Sequence, residues 1–304
     1  MEAVQDVKEK DMNVNEIRGI NRQTFAQKMK AYKRQPLSLL LWLLVVAAAM
    51  VTVGVLLFLI GYILVKGIPN IKPELFEWEY NTDNVSMMPA MINTLYMTGL
   101  TLLMAVPVGI FSAIYLVEYA KRGNKLVNIV RVTTETLQGI PSIVFGLFGY
   151  LMFCIGLKWG YTLLAGAITL AIMVLPVIMR TTEEALLAVP DSYREGSFGL
   201  GAGRLRTVFK IVLPSAMPGI FSGIILAIGR IVGETAALIF TAGTVATAAT
   251  GLFDSTRTLA VHMYCLLSEG LYMEQAYATA VVLLVMVLLI NAFSSFIAKR
   301  FTKK

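Results

Sequence analysis

Histidine, cysteine and charged side chains are all scarce in this chain of 304 residues. The only histidine, His262, has no second metal-ligating residue at a suitable spacing, and we expect it to lie in a loop. Cys154 and Cys265 form neither a metal-binding spacing nor a disulfide framework. No Ser, His and Asp combination predicts a nucleophile with its base, and the phosphate-cradling pattern G-x-x-x-x-G-K-[ST] does not occur. These absences argue against an enzyme and against a cofactor bound by this chain itself.

Charge is low as well: 15% of the residues are charged, 57% are hydrophobic and the mean hydropathy is +0.72. Soluble domains have roughly a quarter of their residues charged, so this composition indicates a protein that uses a lipid bilayer as its solvent. The net charge of +7 does not indicate nucleic-acid binding, because most Lys and Arg residues flank apolar blocks. The predicted class is therefore an all-α, polytopic membrane protein.

The apolar residues form six blocks, each long enough to cross a bilayer as a helix of about 20 residues. Residues 1–36 precede them and are predicted to be a cytosolic tail without a signal peptide. A first transmembrane helix is expected over 37–65 and a transmembrane core over 88–298. The predicted spans are residues 37–65, 90–116, 134–157, 161–179, 217–242 and 276–297.

The orientation follows from the distribution of Lys and Arg among the connecting segments. The N-terminal tail, the 121–131 turn, the 194–210 segment and the C-terminus hold most of them, whereas the other face holds only Lys66, Lys72, Lys158 and Arg257. Cytoplasmic segments carry the excess of positive charge in membrane proteins. Both termini are therefore predicted to be cytosolic, as an even number of spans requires.

Segment 181–214 is too polar to span a membrane and too apolar to be a solvated linker. Ser192 and Glu195 have the spacing of a capping box, which predicts a helix start just after Pro190. Glycines, Gly201 among them, then allow a sharp turn into a second short helix that we expect to end at Pro214. Two short amphipathic helices of this kind can dock into a groove on a partner protein.

The same segment resembles the EAA loop of ABC importer permeases, E-A-A-x3-G-x9-I-x-L-P. The matching residues are Glu195, Gly201, Ile211, Leu213 and Pro214, and Gly196 and Ser197 replace the two alanines. The resemblance implies that this loop is the coupling helix that fits a cleft of an ATPase subunit. ATP and Mg²⁺ would then be bound by that partner and not by this chain.

A closer resemblance, to the PstA-type permeases of phosphate importers, covers most of the chain from residue 88 onward. It rests on three stretches, Gly139-Ile-Pro-Ser-Ile-Val-Phe-Gly-Leu-Phe148, Leu175-Pro-x-x-x-Arg180-x-x-Glu183-Glu184 and Ile228-Gly-Arg-Ile-Val-Gly-Glu-Thr-Ala236. The resemblance implies the type-I ABC importer permease fold and inorganic phosphate as substrate. It also implies a second homologous permease, an ATPase dimer, an extracytoplasmic phosphate-binding protein and a place in the prokaryotic cytoplasmic membrane.

Arg230 and Glu234 fall near the centre of the predicted fifth span, where an ionisable side chain costs about 2.5–3.5 kcal/mol on insertion scales. Their i, i+4 spacing would put both on one helix face. Arg230 could offer its planar set of donors to an oxyanion in transit, with Glu234 holding the guanidinium in place. Alternatively, the two residues neutralise each other and serve only helix packing.

A second charged group, Arg180 with Glu183 and Glu184, lies at the end of the predicted fourth span. It could line the substrate pathway, or Arg180 could simply reach the membrane interface. Near it, Arg131, Glu135 and the Thr133-Thr134 pair are candidates for the edge of a cytosolic vestibule.

Three other functions remain as alternatives. An ABC permease for another oxyanion would share the same motifs. An ATPase-independent channel or secondary transporter would suit broken helices near the midplane but would not explain the coupling-type loop. An intramembrane enzyme is the weakest alternative, because no nucleophile and base are visible.

Overall fold

The structure is a computed structural model and describes residues 36–121 and 123–302. The chain divides into two compact units, Met1–Gly61 and Tyr62–Lys304. The first unit contributes most of helix α1, Pro36–Gly67, which covers the residues of the predicted first transmembrane helix. The N-terminal tail predicted before it lies outside the described residues.

The second unit is built from helices, and no strand occurs in the described ranges. Helix α2, Met88–Ile114, continues through a π-helical turn, Tyr115–Tyr119. Helix α4, Ser142–Gly149, continues in the same way through Tyr150–Gly156. The other helices are α3 Lys125–Gln138, α5 Leu163–Leu187, α6 Asp191–Gly199, α7 Arg204–Thr207, α8 Leu213–Val232, α9 Ala236–Thr241, α10 Leu259–Glu269 and α11 Met273–Thr302.

Among the described residues, five helices are long and apolar enough to span a membrane, and a bent pair, α3 with α4, brings the number up to six. The all-α, polytopic prediction is therefore confirmed. The third span is not the continuous helix that we predicted over 134–157, because α3 and α4 meet at 104°. Pro141 lies at this break, and its own ψ of 142° is not helical. A proline also disfavours helical backbone in the residue before it, which favours a break at this point.

Helix α5 is the centre of the unit and packs against both α2 and α8. Close packing depends on small residues: a Cβ added to Gly109 would lie 2.7 Å from a methyl group of Ile178 on α5. At Gly223 on α8, an added Cβ would overlap Thr181. Such contacts let helix backbones approach where no hydrophobic effect drives them together in lipid. Helices α11 and α4 complete the unit by packing on α8 and α9 respectively.

The predicted fifth span, 217–242, is wrong at both ends. Its helix begins at Arg204 and runs through a π-helical turn, Val208–Val212, and past Pro214 to Val232. The second short helix therefore does not end at Pro214, because the wider π-helical turn accommodates a residue that has no N–H to donate. The fourth span is also longer than predicted and reaches Leu187.

Candidate functional site

The loop between α5 and α8 has the two-helix form predicted for it, and its first helix starts at Asp191, just after Pro190. The capping box predicted for Ser192 and Glu195 is wrong, because the N-cap is Pro190 and no side chain caps this helix. Between the helices Gly201 has φ +81°, a conformation that favours glycine. The turn therefore needs the glycine that the motif places there.

Hydrogen bonds between the two helices close the turn. The hydroxyl groups of Ser197 and Thr207 lie 2.8 Å apart and both residues are buried. The backbone N–H of Ala202 donates to the Ser197 carbonyl at 3.1 Å. Ser197 occupies the position of the second motif alanine, so this departure from the motif supplies a bond between the helices.

Arg194 ties the loop to the end of α2 through an ion pair with Glu118 at 2.7 Å, across 76 residues of sequence. Its guanidinium also donates to the carbonyl oxygens of Leu186 at 2.9 Å and Val189 at 2.8 Å, and pairs with Asp191 at 3.2 Å. Glu118 is only 8% exposed. The sequence did not predict this pair, because nothing in the spacing of Arg194 and Glu118 relates the two residues.

The tip of the loop exposes apolar side chains in an otherwise polar segment. Leu200 is 91% exposed, and Leu205 and Phe198 are 67% and 47% exposed. Glu195 is also exposed, whereas Ile211 and Leu213 are half-buried at the start of the long helix that follows. The tip therefore presents an apolar surface.

A charged cluster lies where α3 meets the end of α5. Arg131 pairs with Glu183 at 2.5 Å, and Arg180 pairs with Glu184 at 3.0 Å. Glu135 reaches Arg180 at 3.9 Å. The structure thus brings together the two groups that were predicted separately, and with Thr134 they line a cavity of about 250 Å³.

Arg230 and Glu234 do not form the predicted pair on one helix face. Arg230 is half-buried in the last turn of α8, which ends at Val232. Glu234 is buried in the break that follows, and its carboxylate accepts the backbone N–H of Ala237 at 3.1 Å. No ion pair joins the two in the described part of the chain, so the guanidinium is not neutralised by this carboxylate.

His262 lies in helix α10 and not in a loop, and it is fully buried. Burial and the nearby Arg257 charge lower the pKa of His262 to about 3, so the ring is neutral. Both side chains contact Tyr80: the Arg257 guanidinium carbon lies 4.6 Å from the ring centroid, and the His262 ring 6.1 Å.

Residues 105–304 match the family described as "Binding-protein-dependent transport system inner membrane component". This match covers the charged cluster, the two-helix loop and the break after Val232. The chain belongs to this family of ABC importer permeases.

Two curated relatives and one solved structure agree with this assignment. The chain is 33% identical over 279 residues to the "Probable ABC transporter permease protein YqgI" of Bacillus subtilis, covering 84% of this chain and 93% of that protein. It is 34% identical over 236 residues to the "Phosphate transport system permease protein PstA" of Pasteurella multocida, and this match covers 76% of this chain and 84% of that protein. A bacterial alginate ABC transporter solved with its periplasmic protein has a chain with TM-score 0.63 at 17% identity, covering 90% of this permease and 98% of that chain. The permease therefore has the type-I ABC importer fold.

Two structural features of this permease lie outside the motifs that identified it. The Arg194–Glu118 pair holds the loop to the membrane helices, and Arg131 and Glu135 join Arg180 and Glu183 in one cluster. Only one signal could have pointed to the first feature: Glu118 is an isolated acid at the end of an apolar block. An isolated charge at that position predicts a partner but does not say which residue it is.

Proposed function

We propose that this permease carries inorganic phosphate inward across the prokaryotic cytoplasmic membrane, as half of a pore that a second, homologous permease completes. The observation that carries the proposal is the similarity to a phosphate permease over three quarters of the chain. Sulfate and other oxyanions remain the alternative substrates, since the same side chains could bind them.

Arg230 is the proposed contact for the anion in transit. Its guanidinium stays charged when buried and offers a planar fork that matches two oxygens of a phosphate. The carboxylate of Glu234 accepts the N–H of Ala237, and among the described residues it forms no ion pair with the Arg230 guanidinium. Glu234 would then act on the pathway indirectly, because its bond to the N–H of Ala237 holds the backbone between α8 and α9 in its present shape.

The cluster of Arg180, Glu183 and Glu184 is the proposed exit of the pathway toward the cytosol. Each arginine there is already paired with a carboxylate, so an emerging anion meets cations that are partly neutralised. Such a region binds the anion weakly and favours its release. Exchange of ion-pair partners would also give the exit two arrangements, one closed and one open.

The tip of the two-helix loop is the proposed docking surface for an ATPase dimer, which would bind ATP and Mg²⁺ and supply the energy. Exposed Leu200, Leu205 and Phe198 fit a groove-binding surface. The positive-inside distribution of Lys and Arg favours a cytosolic position for this loop and both termini. The opposite face would receive an extracytoplasmic phosphate-binding protein.

Phosphate uptake in cells that lack their own phosphate importer tests the proposal. The permease would be expressed with its neighbouring permease, ATPase and binding protein, and uptake of labelled phosphate measured with and without a hundredfold excess of sulfate. We expect uptake that depends on the binding protein and resists sulfate. Uptake of sulfate in preference to phosphate would replace the proposed substrate, and uptake without the ATPase would refute the coupled mechanism.

A further inference from the structure

A large cavity lies between the end of α2, the start of α3 and the first helix of the loop, α6. Its volume is about 1230 Å³, and of the tip residues Phe198 lines it, whereas Leu200 and Leu205 are not among its lining residues. Among the described residues, its lining includes two acidic residues, Glu118 and Asp191, and five cations. The cations are Lys121, Lys125, Arg131, Arg194 and Arg204.

Three of the five cations are available to a ligand. Arg194 is committed to Glu118, Asp191 and two carbonyl oxygens, and Arg131 is paired with Glu183. Lys121 and Lys125 are exposed and form no ion pair in the described ranges. The guanidinium of Arg204 lies 5.5 Å from the Tyr119 ring centroid, a contact that leaves its N–H groups free to donate.

Apolar side chains form another part of the wall, with Leu116, Val127, Ile129, Leu187 and Phe198 contributing to it, and Asn124 and Asn128 also line the cavity. Leu116 and Leu187 belong to the ends of two spanning helices, so this wall lies where those helices leave the membrane. A free phosphate ion would contact the cations and leave most of the cavity empty. A phosphate ester attached to glycerol and acyl chains fits both the cationic and the apolar sides.

We propose that this cavity binds the headgroup phosphate of an anionic phospholipid, with Lys121, Lys125 and Arg204 as the cations that hold it. The inner-leaflet position rests on the orientation given under the proposed function. Basic pockets between helices at this face are a known way to bind such headgroups. A lipid bound there would bridge α3 to the start of α7, and so would restrain the movement of the coupling loop.

Native mass spectrometry of the purified complex, released from nanodiscs that contain phosphatidylglycerol and phosphatidylcholine, tests the proposal. Each cation near an anionic headgroup strengthens binding about fivefold, so Lys121→Gln/Lys125→Gln should retain phosphatidylglycerol on the order of 25-fold less well. Arg204→Gln added to this pair should bring the loss to on the order of 100-fold. A matched control, Lys299→Gln/Arg300→Gln, removes two exposed cations from the last turn of α11 and should retain the lipid as the wild type does.

Glycerol phosphate and inorganic phosphate, added at millimolar concentration, separate the lipid from a soluble ligand. If the site takes the lipid, neither anion should displace it. Displacement by either anion, or equal lipid retention in the Lys121→Gln/Lys125→Gln variant and its control, would overturn the proposal. Lipid retention is measured without transport, so its outcome is independent of whether phosphate is the transported substrate.

Discussion

The bonds from Arg194 to Glu118 and to the end of α5 should decide how firmly the coupling loop is held to the membrane helices. When Arg194 is replaced by Met, the Glu118 carboxylate, 8% exposed, loses its only partner in the described part of the chain. When Glu118 is replaced by Gln, Arg194 keeps Asp191 and the carbonyl oxygens of Leu186 and Val189. The two changes should therefore differ in cost, although they remove the same ion pair.

The magnitude follows from the burial of the pair. Breaking a buried ion pair by removing one partner costs about 3–5 kcal/mol, because it leaves an uncompensated charge in a medium of low polarity. Arg194→Met should reach this range. Glu118→Gln should cost about 1–3 kcal/mol, the range for lost hydrogen bonds at a group that stays partly satisfied.

Hydrogen–deuterium exchange of residues 191–207 in the purified complex measures this directly. Arg194→Met should accelerate exchange there on the order of 100-fold, since 3 kcal/mol corresponds to roughly that change in an opening equilibrium. Arg206→Met is the matched control, because Arg206 is an exposed arginine of the same loop outside every described ion pair. Exchange that is equally fast in Arg194→Met and Arg206→Met would refute the reasoning.

Three further predictions concern the loop and the topology. Gly201→Val should keep membrane insertion but lose ATPase co-purification, since φ +81° is strongly unfavourable for a β-branched residue; normal co-purification would remove the docking role. An impermeant thiol reagent applied to intact cells should label a cysteine at Trp78, which is 71% exposed, and should not label one at Gly203; the reverse pattern would invert the orientation. Ser197→Ala should destabilise the loop by only about 1 kcal/mol in the same exchange experiment, because Thr207 keeps its bond to the Gly203 carbonyl at 3.2 Å; a loss as large as that of Arg194→Met would contradict this.

Hydropathy and spacing were sufficient to predict the fold class, the first helix and the two-helix loop. These features depend on the total apolar length of a segment and on local turn chemistry, both of which are present in the sequence. The glycine at position 201 is an example, since the motif required a tight turn there and the structure has φ +81°.

The helix breaks could not be predicted in the same way. Apolar composition places a segment in lipid but does not determine whether its backbone stays helical, as the bend at Pro141 and the end of α8 at Val232 illustrate. At the second break, the Glu234 carboxylate bonds a backbone N–H at the start of α9 instead of facing Arg230. Packing between distant parts of the fold decides which of these two partners Glu234 takes. The spacing of residues along the chain carries no information about that packing.

Uptake of labelled phosphate by the reconstituted complex, with Arg230 varied, tests the central claim most directly. Proteoliposomes would contain both permeases and the ATPase, with binding protein outside and ATP inside. The wild type should accumulate phosphate, Arg230→Lys should keep part of the rate because it retains the charge, and Arg230→Gln should lose most of it while the complex still assembles. Near-normal uptake by Arg230→Gln, or by Arg230→Gln with Glu234→Gln, would contradict a pathway role for Arg230, and absence of phosphate uptake by the assembled wild-type complex would contradict the proposed function itself.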